Sequence, residues 1–268
     1  MTANVRQPSV AGRFYSADAA RLRDEVDELL AAAPAAWPPH PKAVIAPHAG
    51  FMFSGGVAGT AYARLTPGRD RIRRVVVLGP SHFVPFRGLA ASRAQRFATP
   101  LGELAVCAET MQTALAQPGV GVNDRAHERE HSIETQLPFI QRVLGDVSVV
   151  PLVVGDTTPD EVGRVLAALW GDEETAIAIS SDLSHFHDDA TARTIDEATA
   201  KAIVALRGER LGPGEACGFL PIAGLLWNAR RRSGEVELLQ LRNSGDAGAP
   251  RDSVVGYGAF ELREPEVA

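Results

Sequence analysis

The stretch Arg74-Val-Val-Val-Leu-Gly-Pro-Ser-His82 sets an unbroken apolar run against a turn of small residues that ends in histidine. A strand with one wet face would alternate apolar and polar residues. A continuous run reads instead as a strand covered on both faces. The same grammar recurs along the chain. Lys42-Ala-Val-Ile-Ala-Pro47 runs directly into His48, and Thr175-Ala-Ile-Ala-Ile-Ser-Ser-Asp182 leads through Leu183 and Ser184 to His185. Ser148 to Gly155 is a fourth run of this kind.

Helical patterns separate these strands. Ala19 to Ala33 places Leu22, Val26, Leu29 and Leu30 on one face. Further helices are predicted over Gly56 to Leu65, Asp160 to Trp170, Asp188 to Leu206 and Cys217 to Arg232. Ile133, Leu137, Ile140 and Leu144 mark another, which Pro138 should start or kink. Gly88 to Ser92 and Leu101 to Cys107 read as a hairpin around the turn Thr99-Pro-Leu-Gly102. Val236 to Arg242 and Val254 to Leu262 are closing strands. Strands alternating with helices imply an α/β fold with a mostly parallel, mixed sheet covered by helices. No internal repeat and no Pro/Ser/Gly linker divides the chain, so residues 1–268 read as a single domain.

Composition narrows the function. There are 27 basic residues against 33 acidic ones, a net charge of −6. Nucleic-acid and anionic-membrane partners both call for clustered Lys and Arg, and this balance argues against them. The triplet Arg230-Arg231-Arg232 suits a helix C-terminus, where the dipole favours cations. Two cysteines, Cys107 and Cys217, cannot build a disulfide scaffold. The start lacks the apolar core of a signal peptide, and no segment reaches the roughly 18 apolar residues of a membrane span. A soluble, cytoplasmic protein is the expectation.

Three of the seven histidines, His48, His82 and His185, follow predicted strands closely. In open α/β sheets, ligands bind beyond the carboxyl ends of the strands, where a rigid scaffold aims the loops. One such histidine alone is an ordinary hydrogen-bonded loop residue. Three together suggest imidazole ligands of a divalent transition metal, with one left free as an acid/base. Cys217 is the candidate soft ligand. It opens an apolar helix whose dipole would favour the thiolate, or it is a small buried hydrophobe. Cys107 reads as the latter. Asp182 either caps the turn after its strand or orients His185 and sets which ring nitrogen carries the proton.

Two other patterns compete. His127-Glu-Arg-Glu-His131 matches the zinc-peptidase spacing, but its variable positions are charged and no strong helical run precedes it. The segment reads as a solvated charged turn, or as Glu130, His131 and Glu134 supporting a metal site by hydrogen bonds. Ser180, Ser181 and Ser184 near His185 invite a serine-hydrolase reading, but no G-x-S-x-G elbow appears.

Seven ordered segments resemble the Memo family, also called AmmeMemoRadiSam system protein B. They are Val10-Ala-Gly-Arg-Phe-Tyr15, Ala46-Pro-His-Ala-Gly50 with Ser54-Gly55, Gly79-Pro-Ser-His82, Thr99-Pro-Leu-Gly102, Glu130-His-Ser-Ile-Glu134 with Leu137-Pro138, Ser181-Asp-Leu-Ser-His185, and Cys217-Gly218 with Pro221-Ile222. The family is similar to class III extradiol dioxygenases of the LigB type. The resemblance implies that fold, with His48 and His82 as metal ligands and Cys217 where those dioxygenases use a glutamate. It implies His185 as acid/base with Asp182 beside it, and a pocket that includes Ser81, Phe14 and Tyr15. It further implies iron, with copper or zinc as alternatives, and redox or oxygen-dependent chemistry on a small molecule. The other implied role is non-catalytic, as a partner of radical-SAM and AMMECR-type proteins or a signalling protein. This chain carries Phe51 and Phe53 where the family often has tyrosine, which removes two hydroxyls from the expected pocket.

Overall fold

A computed structural model describes residues 4–265. Their strands are β1 (Val5–Arg6), β2 (Ala43–Ala46), β3 (Arg74–Pro80), β4 (Leu89–Ala91), β5 (Arg96–Thr99), β6 (Gly102–Ala105), β7 (Val120–Val122), β8 (Ser148–Val154), β9 (Thr175–Ser180), β10 (His185–His187), β11 (Glu235–Asn243) and β12 (Val254–Arg263). Their helices are α1 (Ala19–Ala31), α2 (Phe51–Ala63), α3 (Ala108–Leu115), α4 (Asp124–Glu128), α5 (Leu137–Leu144), α6 (Pro159–Leu169), α7 (Asp189–Val204) and α8 (Phe219–Arg231).

The large sheet runs β10-β12-β2-β9-β3-β8-β4-β7, with β11 also paired to β12. Its centre, β2-β9-β3-β8, is parallel, and β12 and β4 join it antiparallel on either side. The apolar runs behave as expected of strands covered twice. In β3, Val75 and Val77 face a core built with α1, α2 and α5, while Val76 and Leu78 face a second core with α6 and α8. The result is one α/β domain with a mixed, mostly parallel sheet between helical layers.

Three expectations need correction. The turn Thr99–Gly102 does close a hairpin, but between β5 and β6 in a separate three-stranded sheet with β1. Gly88 to Ser92 contributes β4 to the large sheet instead, since period-two patterning does not name a strand's partner. Helix α2 begins five residues before Gly56. Its Gly55 and Gly59 let α1 approach closely: a Cβ would lie 2.8 Å from Leu29 Cδ1 at Gly55 and 2.6 Å from the Leu29 carbonyl at Gly59. That packing offsets the glycines' poor helix propensity. Finally, α8 starts at Phe219, two residues beyond Cys217. Pro138 does start its helix, in the first turn of α5.

No helix among the described residues is long and apolar enough to cross a membrane.

Candidate metal centre

Parallel pairing brings the ends of β2, β9 and β3 side by side, so the residues that follow them share one edge of the sheet. His48 follows β2 and His82 follows β3, with β9 between. A third imidazole joins them from outside the sheet. The segment Glu130 to Gln136 is strapped across these strand ends. Ser132 Oγ donates to the Pro80 carbonyl at 2.9 Å, and Gln136 Nε2 donates to the Pro47 carbonyl at 3.0 Å. At Gly79 any Cβ would lie 2.5 Å from Ser132 Oγ, so the strap demands glycine there. His131 is thereby set beside the other two. One nitrogen from each of His48, His82 and His131 lies within 4.8 Å of the others. Their ring centroids are 5.1, 5.4 and 4.6 Å apart. His48 is buried, His131 is partly buried, and His82 faces solvent.

Hydrogen bonding fixes the tautomers. Ser180 Oγ gives its proton to the Ser132 carbonyl at 2.6 Å, so it must accept from His48 Nδ1 at 2.8 Å. Glu130 Oε1 accepts from His82 Nδ1 at 2.8 Å, and the Leu183 carbonyl accepts from His185 Nδ1 at 2.8 Å. Each of these rings therefore keeps a proton on Nδ1, which leaves Nε2 as the nitrogen that a metal could take.

The carboxylates divide by role. Glu130 accepts from the backbone N–H groups of His82, His131 and Ser132 as well as from the His82 ring. Burial pushes its carboxyl up, but these bonds outweigh it and hold it down at about 2. Glu134 faces the N-terminal segment instead. It accepts from the Arg6 guanidinium, the Ser9 backbone and hydroxyl, Val10 N–H and Tyr15 OH. Tyr15 is thus spent on Glu134, and its neighbour Phe14 packs edge-on against His131 with centroids 5.0 Å apart. Ser81 Oγ donates to the Val84 carbonyl at 2.7 Å.

Asp182 corrects one expectation. Its Oδ1 accepts from the His48 backbone N–H at 2.7 Å, while the Leu183 carbonyl, not Asp182, sets the tautomer of His185. Burial raises the Asp182 carboxyl above its ordinary range. Cys217 corrects another. Burial and then the charge of Asp182 push its thiol up to about 12, so the offset helix dipole does not produce a thiolate. Its sulfur lies 3.3 Å from His48 Nε2. With that nitrogen bare, the thiol is the donor. Burial and then neighbouring imidazoles hold His48 well below the ordinary histidine value, and His131 at about 4. At neutral pH these two rings are uncharged and available as ligands.

The peptidase spacing dissolves. Helix α4 ends at Glu128, before His131, and His127 is buried with Nε2 on the Ala90 carbonyl at 2.9 Å. The turn is solvated only in part, since Glu128 and Arg129 are exposed while His127 and Glu130 are each 2% exposed. Phe51 packs between Tyr15 and Phe139, and no phenol hydroxyl stands at that position. Sequence reasoning missed Ser180 as the partner of His48 and Gln136 as a tie between strands. The only signal for either was its place in a motif otherwise read for histidine.

Residues 6–261 match the sequence pattern of the family described as Memo-like protein. A MEMO1 family protein of Methanosarcina mazei is 34% identical, over 96% of this chain and 98% of that protein. One from Sulfolobus acidocaldarius is 32% identical, over 94% and 97%. The fold is shared with an uncharacterized Escherichia coli K12 protein of known crystal structure, at a TM-score of 0.55 and 15% identity, covering 83% of this chain and all of that one. With full-length relatives and a family pattern that spans both ends of the histidine cluster, the chain belongs to the Memo-like protein family.

Proposed function

We propose that the chain holds a redox-active transition metal through His48, His82 and Cys217, with His131 at the same centre, and acts on a small molecule in an oxygen-dependent or other redox reaction. The observation that carries this reading is the cluster of His48, His82 and His131, whose ligand nitrogens lie within 4.8 Å of one another, with Cys217 Sγ reaching one of them, His48 Nε2. With Cys217 Sγ 3.3 Å from His48 Nε2, the thiol's proton would be lost if both atoms were to hold one ion. Imidazole and thiolate together suit iron, copper or zinc, and iron or copper bound there would supply electron transfer. The residues around the centre do the rest. Ser180 and Glu130 orient the ligand rings, and Asp182 anchors the His48 backbone. His185, with its Nδ1 proton committed to Leu183, accepts or returns a proton at Nε2. The likeness to class III extradiol dioxygenases belongs to this reading and supplies its reaction class.

Metal analysis of protein purified without an affinity tag tests the proposal. Near-stoichiometric iron or copper in the wild type, lost in His48→Ala and Cys217→Ser, supports it. Absence of metal, or equal metal in His48→Ala, overturns it. Oxygen uptake with a panel of catechols under air, abolished in His185→Ala with metal retained, supports the reaction class.

One observation favours a second reading, in which the site is a recognition surface for radical-SAM or AMMECR-type partners. Large apolar side chains stand exposed beside three of the loops: Met52 at 75%, Phe83 at 47% and Phe186 at 77%. Phe186 also holds a φ of 63°, a conformation rarely adopted by a bulky residue. Stable co-purification with such a protein, without turnover, would favour this role.

A further inference from the structure

Cys217 has a second face. Its residue forms part of the wall of a cavity of about 230 Å³ whose lining includes none of the clustered histidines. One wall is the loop after β3, with Val84 and Phe86, and the other is the first turn of α8, with Phe219, Leu220 and Pro221. The loop is pinned to the end of β8, where Asp156 N–H donates to the Phe86 carbonyl at 2.8 Å and Gly155 N–H to the Gly88 carbonyl at 2.9 Å. At Gly155 a Cβ would lie 2.3 Å from the Phe86 carbonyl oxygen, so glycine is what allows the wall to sit there. Backbone contacts therefore fix the wall of the chamber formed by the loop after β3.

Its chemistry selects the occupant. The lining includes no Lys, Arg or His, so an anion would meet no counter-charge. Its one carboxylate, Asp156, is 80% exposed and lies 3.9 Å from the Arg87 guanidinium, which is 94% exposed and outside the lining, so neither sets a buried charge against the occupant. Ser81 Oγ already donates to Val84, which leaves an acceptor for a single polar group. An apolar cavity of about 150 Å³ accepts benzene, so this one has room for a ring and a substituent.

We propose that this chamber binds an uncharged, largely apolar molecule of about one ring, placed against Cys217. Its identity as the substrate rests on the metal reading above; its binding does not.

Alkylation of Cys217 by iodoacetamide in metal-free protein at about pH 9, where a small thiolate fraction reacts, followed by peptide mass spectrometry, tests the inference with phenol as the probe and benzoate as its anionic counterpart. No labelling of Cys217 there means that the sulfur is not reached through the chamber and overturns the inference. At about four times its Kd, phenol should slow labelling about fivefold by mass action, while benzoate at the same concentration should not. Cys107, elsewhere on the protein, serves as the internal control and should label at an unchanged rate. Leu220→Trp, and independently Val84→Trp from the opposite wall, should fill the chamber, slow labelling without phenol and remove the phenol effect. Labelling indifferent to phenol and to both tryptophans overturns the proposal, as does equal protection by benzoate. Because no metal is present, these outcomes stand whether or not the metal reading survives.

Discussion

The Ser180 hydroxyl accepts the Nδ1 proton of His48 at 2.8 Å while donating its own to the Ser132 carbonyl. A serine on the central strand thus decides which nitrogen of a neighbouring strand's histidine is available. Ser180→Ala leaves a buried ring N–H without a partner, a cost of about 1–3 kcal/mol. It also frees the ring to turn or change tautomer, and metal affinity should fall by about 10–100-fold. Chelator competition on the wild type and variant measures this. Unchanged affinity would show that the bond is incidental.

His127 makes the fold sensitive to mild acid. Burial lowers its pKa to about 4 from an ordinary 6.5, so between these values the unfolded chain binds a proton that the folded one refuses. Stability is full above pH 6.5 and is lost as pH falls toward 4, by about 2 kcal/mol at pH 5. His127→Gln keeps a donor for the Ala90 carbonyl and removes the titration. Urea unfolding at pH 7 and pH 5 should show a smaller drop in the variant. Equal drops would mean the acid sensitivity lies elsewhere.

Arg6 is the buried counter-charge of Glu134. Arg6→Met strands that carboxylate and should destabilise the protein by about 3–5 kcal/mol. Arg6→Met combined with Glu134→Gln should recover part of the loss, because the residual charge is gone. A double-mutant cycle in denaturant checks it, and additive losses would contradict the coupling.

Gly59→Ala pits helix propensity against packing. Propensity alone predicts a gain of about 1 kcal/mol. The Cβ would meet the Leu29 carbonyl at 2.6 Å, so α1 must shift, and the net effect should be a loss of about 1–3 kcal/mol. A higher melting temperature in the variant would show that the two helices have slack.

Much of this architecture is legible in the sequence because parallel strands leave a strong trace. His48, His82 and His185 can be placed on one edge since each follows an apolar run whose direction is fixed. His131 is harder. Its spacing from His127 imitates a helix, but the Glu130 side chain accepts the backbone N–H groups of His131 and Ser132 and so competes with helical bonding. Glu134 shares the motif yet turns toward Arg6, a partner 128 residues away that no local pattern names. Cys217 is recognisable as a residue. Its protonation is not, because that depends on burial contributed by distant segments.

The sulfur of Cys217 and the ring of His48 stand 169 positions apart along the polypeptide. During synthesis, every imidazole of the cluster leaves the ribosome well before the thiol that must meet it, and long-range closures of this kind come late in folding. A product cut short before residue 217 still carries all three rings. The thiol contact thereby forms only after chain beyond every ring of the cluster has been made.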